Sequence, residues 1–166
     1  MRVALAQFDV EAGAVERNVD RAAESIARAA ADGADLVALP EIFNVGYFAF
    51  DSYPQAAEPL DGPTLTRIGE VADEHDVAVL AGSIVEDLAA SRQAGFETPA
   101  GEGYANAAVF LGRSGDRRAV YRKRHLFGYG SAEQDLLTPG ESLPTVDPDR
   151  VADRRAEFPA LEDRRA

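Results

Sequence analysis

The sequence predicts an α/β fold of the layered type. Three observations carry that prediction. Short apolar runs at 3–8, 36–39 and 77–82 have the length of buried strands, the two segments between them repeat apolar residues at helical spacing, and turn residues divide each element from the next. The order β-α-β-α-β makes these strands parallel, with right-handed crossovers.

The first strand is Val3-Ala4-Leu5-Ala6-Gln7-Phe8. From 16 to 32 the pattern changes period: Val15, Val19, Ala22, Ala23, Ile26, Ala29 and Ala30 mark one face of a helix, and Gly33 stops it. The second strand, 36–39, ends at Pro40, which donates no ladder hydrogen bond, so Glu41 is delivered to the lip of the sheet, where ligands of open α/β sheets usually sit. The next residues, 42–50, are rich in aromatics and predict a pocket wall, the alternative being a cover over a core edge.

Asp61-Gly62-Pro63 is a turn that opens a second helix, with Leu65, Ile68, Val71 and Ala72 on its apolar face and His75-Asp76 at its end. The third strand, 77–82, extends through 83–86. Residues 87–103 read as a loop. An apolar run at 104–111, the turn Arg113-Ser114-Gly115-Asp116 and a return at 117–122 form a β-hairpin. Residues 127–141 hold three glycines and read as irregular, and 142–146 as one last strand. From 147 to 166 apolar residues thin out, which predicts a polar tail, either a short helix or disordered.

Composition narrows the function. A chain of 166 residues, 46% hydrophobic, can bury a substantial core. Its net charge of −12 argues against nucleic acid and anionic membrane as partners. Lys123 is the sole lysine; such an acidic, alanine-rich chain fits a salt-rich cytoplasm, where screening makes high net charge tolerable. There is no cysteine, hence no disulfide, thiolate metal site or thiol nucleophile. With no signal-peptide pattern and no apolar run of membrane length, the expected location is cytoplasmic.

Three charged residues end or follow strand patterns: Glu41, Lys123 and Glu133, the last placed in the loop after the hairpin. If the strand ends share one edge, carboxylate and ammonium converge in a pair able to move a proton and stabilise an oxyanion. The competing reading makes Lys123 a solvated member of the basic run Arg122-Lys123-Arg124-His125, and Glu133 a surface glutamate. His125 suits a structural hydrogen bond better than a catalytic base, and His75 suits a helix end. The two histidines are too far apart in sequence to suggest a metal site. The glycines form no phosphate loop, which argues against a flavodoxin-like nucleotide module.

Leu39-Pro40-Glu41 with Phe43 and Gly46-Tyr47, then Tyr121-Arg122-Lys123-Arg124-His125-Leu126-Phe127, Glu133 and Thr138-Pro139-Gly140, resemble the nitrilase superfamily of carbon–nitrogen hydrolases. The resemblance implies an α/β fold, here a partial nitrilase-like αββα sandwich with a mixed sheet and helices on one face. It implies hydrolysis of an amide, N-carbamoyl amine or nitrile through a cysteine thioester, without metal or organic cofactor, with Glu41 as general base, Lys123 on the tetrahedral intermediate and Glu133 supporting the site. Residues 1–146 would form the N-terminal part of such a domain and 147–166 a divergent tail. The family's cysteine is missing, and neither Ser142 nor Thr145 has an evident activating partner to replace it. The expectation is therefore a chain inactive as given or dependent on a missing piece: a truncated or frame-disrupted product, or a fragment completed by another chain. The partner expected is a second copy, as a homo-oligomer, or that complementing chain. The alternative is a non-catalytic binding or interaction module.

Overall fold

Apolar spacing and turn chemistry set the elements of the computed structural model, which describes residues 1–128 and 130–144. Strand β1 (Val3–Leu5) leads through helix α1 (Val15–Ala31) to β2 (Leu36–Ala38). Helix α1 buries Val19, Ala22, Ala23 and Ile26, the stripe its sequence spacing dictates, and stops ahead of Gly33, whose φ of +82° suits a residue without a Cβ. A short helix α2 (Tyr53–Ala56) and helix α3 (Pro63–Glu74) precede the long strand β3 (Ala78–Asp87). Pro63 opens α3 because the first helical N–H has no partner to lose. Helix α4 (Leu88–Gln93), the hairpin β4 (Tyr104–Leu111) and β5 (Arg117–Arg122), and helix α5 (Ala132–Leu136) complete the order.

The five strands form one mixed sheet in the order β1-β2-β3-β4-β5. The first three are parallel, and β4 and β5 follow antiparallel. Crossovers of one hand onto successive neighbours keep α1 and α3 on the same face, where they pack against each other. Their apolar stripes meet Val37, Val79, Ala81 and Val109 in the main core. Each valine, leucine or isoleucine of this core taken from water contributes about 1.5–3 kcal/mol.

The opposite face differs. The register aligns Leu5, Ala38, Leu80, Phe110 and Ala119 in one row across all five strands. Leu5 is 80% exposed and Leu80 37%, so this apolar row is open to solvent.

Three expectations need correction. The stretch 87–103 holds helix α4, capped by Asp87, whose carboxylate accepts from the Ala90 amide at 2.9 Å. The stretch 127–141 holds α5, so Glu133 lies on a helix and not in a loop. Of the strand expected at 142–146, residues 142–144 have no regular structure, and the remainder lies outside the described residues, as does the tail 147–166. Among the described residues no helix is long and apolar enough to cross a membrane.

Candidate active site

Strands β2 and β5 run in the same direction, so their carboxyl ends open on one edge, yet β3 and β4 lie between them. The chain closes that gap by folding back over β3. At Gly82 a Cβ would sit 1.8 Å from the Leu39 carbonyl oxygen, so only glycine lets the segment cross. Beyond it the Ile42 amide donates to Ser83 Oγ at 2.9 Å, and the Phe43 amide to the Ser83 carbonyl at 3.1 Å. The crossing falls where the β3–β4 register shifts, between Ala81 and Ile84. Glu41 is thereby carried past the end of its own strand to the middle of the sheet edge.

There it meets Lys123. The ammonium donates to Glu41 Oε1 and to Glu133 Oε1, each at 2.9 Å. Lys123 leaves the end of β5, its amide donating to the Asn106 carbonyl at 2.9 Å. Glu133 is placed by α5, capped by Ser131, and its side chain is 2% exposed against 45% for Glu41. One carboxylate is thus held inside, while the other faces the solvent side of the cleft.

Asn106 completes the constellation. Its amide nitrogen donates to Glu41 Oε1 at 2.8 Å and reaches Glu133 Oε1 at 3.4 Å. The sequence carried a signal for it: a lone amide in the apolar run Tyr104-Ala105-Asn106-Ala107-Ala108-Val109 is buried and must find partners. Tyr47 adds its hydroxyl, 3.4 Å from Glu133 Oε2, and its ring lies 5.3 Å from the Lys123 ammonium. The Tyr53 hydroxyl holds Tyr47 in place by donating to its carbonyl at 2.7 Å.

Electrostatics follow from this packing. Burial works to discharge Lys123, but its bonds to Glu41 and Glu133 outweigh that and raise its affinity for the proton well above that of an ordinary lysine. Burial likewise opposes the Glu133 carboxylate, but the Phe127 amide at 2.5 Å, Lys123 and Asn106 prevail and hold it below the usual carboxylate range. Burial, with Glu133 nearby, pushes the Tyr47 hydroxyl up, so it stays a donor. Two carboxylates and one ammonium leave the cluster with a net negative charge.

The aromatic stretch divides between two roles. Phe43 is fully buried in the main core and does not line the cleft, contrary to the expectation for 42–50. Ile42 and Val45 anchor a second small core with Tyr53, Val85 and Leu137 beneath the site. Tyr47 reaches the cluster, and Phe48, 83% exposed, stands edge-on to it at 5.0 Å between ring centres. His125 and His75 are exposed. Ser142 is exposed, and Thr145 lies outside the described residues. Among the described residues no group of three or more His, Asp or Glu side chains could hold a metal ion.

A family profile for carbon–nitrogen hydrolases matches residues 2–156. The chain belongs to the carbon–nitrogen hydrolase family. It is 36% identical over 152 residues to the omega-amidase NIT2 of Homo sapiens, covering 88% of this chain and 50% of that protein. Among solved structures it is similar to an amidase from Nesterenkonia sp., with a TM-score of 0.70 and 28% identity over 89% of this chain and 51% of the other. It is also similar to Saccharomyces cerevisiae Nit3, a member of branch 10 of the nitrilase superfamily, with a TM-score of 0.71 and 26% identity over 87% of this chain and 50% of that one. In a variant of the Nesterenkonia amidase, acrylamide has added at the active-site cysteine. This carbon–nitrogen hydrolase chain spans about half the length of the relatives it matches and has no cysteine.

Proposed function

We propose that the chain carries the base and oxyanion-stabilising part of an amidase-type site and does not turn over substrate by itself. The observation that supports this reading is the single ammonium held 2.9 Å from two carboxylates, one open to solvent and one buried. In the complete reaction a thiol loses its proton to Glu41 as its sulfur attacks the carbonyl carbon of an amide or N-carbamoyl amine, or a nitrile carbon. Lys123 stabilises the charge that collects on the carbonyl oxygen. For an amide, the C–N bond then breaks, ammonia leaves with the proton held by Glu41, and water hydrolyses the thioester. Glu133 and Asn106 fix the geometry of the other two. No residue of this chain supplies the thiol.

The open apolar row Leu5-Ala38-Leu80-Phe110-Ala119 supports a second part of the proposal: the chain pairs through this sheet face, with a complementing chain or a second copy. A binding module that uses the same cleft without chemistry is the other reading, favoured by an assembled cluster in a chain without a nucleophile.

Because Lys123 is the sole lysine, lysine labelled with carbon-13 and nitrogen-15 reports on the cleft through one side chain. Titration with butyramide should move its signals saturably. Signals that stay fixed with butyramide, an N-carbamoyl amine and a nitrile alike would remove the cleft as a substrate site.

A further inference from the structure

Beneath the cleft lies a second ion pair that the proposed chemistry does not use. Arg122 presents its fork to Glu86, Nε to Oε2 at 2.6 Å and a terminal nitrogen to Oε1 at 2.8 Å. The Glu86 side chain is fully buried and that of Arg122 is 13% exposed. The pair spans from β3 to β5 across β4. In register, Glu86 faces Ala105 and Arg122 faces Ala107, and these two small residues leave room for the salt bridge. A buried pair of this kind is no efficient source of stability, since packed apolar side chains do as well or better. What it can specify is register.

Register matters here because Arg122-Lys123-Arg124 is a run of three bases of which only the middle one meets Glu41 and Glu133. Side chains alternate between faces along a strand, so a slip of one residue would put Lys123 at Glu86 and Arg124 in the cleft, or, in the other direction, Tyr121 at Glu86 and Arg122 in the cleft. The hairpin turn does not fix the outcome. Between the pairs Leu111–Arg117 and Phe110–Ala119, β5 already carries one extra residue, Arg118. A planar fork satisfies both oxygens of Glu86, and a lysine ammonium cannot match that geometry. The backbone on both sides of Lys123 is also gripped from outside. The Gly140 amide donates to the Lys123 carbonyl at 3.0 Å, and a Cβ at Gly140 would sit 2.2 Å from the Arg122 carbonyl oxygen.

We propose that the Glu86–Arg122 pair is the register lock of β5, a positioning device that delivers Lys123, and neither flanking arginine, to Glu41 and Glu133. The inference rests on Lys123 being the cation of the site, and its test reads the lysine itself, not turnover. Loss of amide binding with an intact lysine titration would sink the functional reading and leave this one standing.

The test uses the full chain with labelled lysine. In the wild type Lys123 keeps its ammonium signals above the ordinary lysine midpoint of about 10.4, because Glu41 and Glu133 hold its proton. Glu86→Met/Arg122→Met, which replaces the pair by apolar side chains, should fold, as read by far-UV circular dichroism. Its Lys123 should show either a second set of signals or a midpoint near the ordinary value. Glu86→Gln, which cannot accept both arms of the fork, should shift part of the population the same way. A folded double variant, or a folded Glu86→Gln, in which Lys123 keeps a single set of signals and the wild-type titration would overturn the proposal. Unfolding of both variants would overturn it too, by assigning the pair to stability alone.

Discussion

Lys123 Nζ lies 2.9 Å from Glu41 Oε1, although 82 positions separate the two residues in the chain. The same ammonium bridges to Glu133, so two like charges share one cation. Removing it leaves both carboxylates facing each other in a partly buried cleft. Lys123→Met should therefore lower stability by about 1–3 kcal/mol at pH 7. Because the folded chain holds that proton more tightly than the unfolded one, the contribution is fully present below the ordinary lysine range. The gap between wild type and variant, read from urea unfolding, should thus stay constant from pH 7 to about pH 9.

Glu133 gives the opposite dependence. Its carboxyl is held below the usual range in the folded chain, so its ionised form adds stability above that range, and the contribution fades as pH falls through the depressed value. Glu133→Gln should be less stable than wild type at pH 7, with a gap that narrows from about pH 5 downward. Urea midpoints across that window decide it; a gap independent of pH would mean that shape, and not charge, is what the residue contributes.

Glu58 is a third case with the sign reversed. It is buried, its Oε2 accepts from the Thr64 amide at 3.0 Å, and its Oε1 has no hydrogen-bond partner among the described residues. Burial raises its pKa, against the help of Thr64, so the ionised form opposes folding above the usual carboxylate range. Glu58→Gln keeps an acceptor for Thr64 and removes the charge. Its melting temperature should exceed that of wild type at pH 8, with the advantage gone at pH 4. Equal melting at both values would contradict the assignment.

Glu41 and Lys123 also show how far the sequence could be read. Strand patterns that stop at Pro40 and at Arg122 put Glu41 and Lys123 at strand ends, which converge if the ends share one edge; the antiparallel β3–β4 and β4–β5 pairings of the structure meet that condition. The path was not legible. Glu41 reaches its partner only because the chain crosses β3 at Gly82, and nothing local marks that glycine as a crossing point. Helix α4 stayed hidden because six residues are too few to show a helical period among polar neighbours, although Asp87 is a regular cap. Helix α5 is shorter still, and the surrounding glycines masked it. Asn106 was overlooked because a single amide in an apolar strand reads as an imperfection until its partners are known.

The open sheet face gives a prediction about assembly. Leu5 and Leu80 lie in the same register row, 80% and 37% exposed, so charging both costs the isolated chain about 1–2 kcal/mol, most of it at Leu80. Leu5→Asp/Leu80→Asp should leave the dilute chain folded with a modestly lower melting temperature while it abolishes self-association in sedimentation velocity at high concentration. A wild-type chain that stays monomeric throughout, and that no Cys-bearing half of a relative shifts to a heavier species, would remove this face as a pairing surface.

The decisive measurement is ammonia release by the purified chain from butyramide and an N-carbamoyl amine, compared with Lys123→Met. An ammonium held between two carboxylates without a thiol should release none above buffer, in wild type and variant alike. Turnover by the wild-type chain that disappears in Lys123→Met would contradict the account, because it would mean that these residues hydrolyse a C–N bond with no cysteine to attack it.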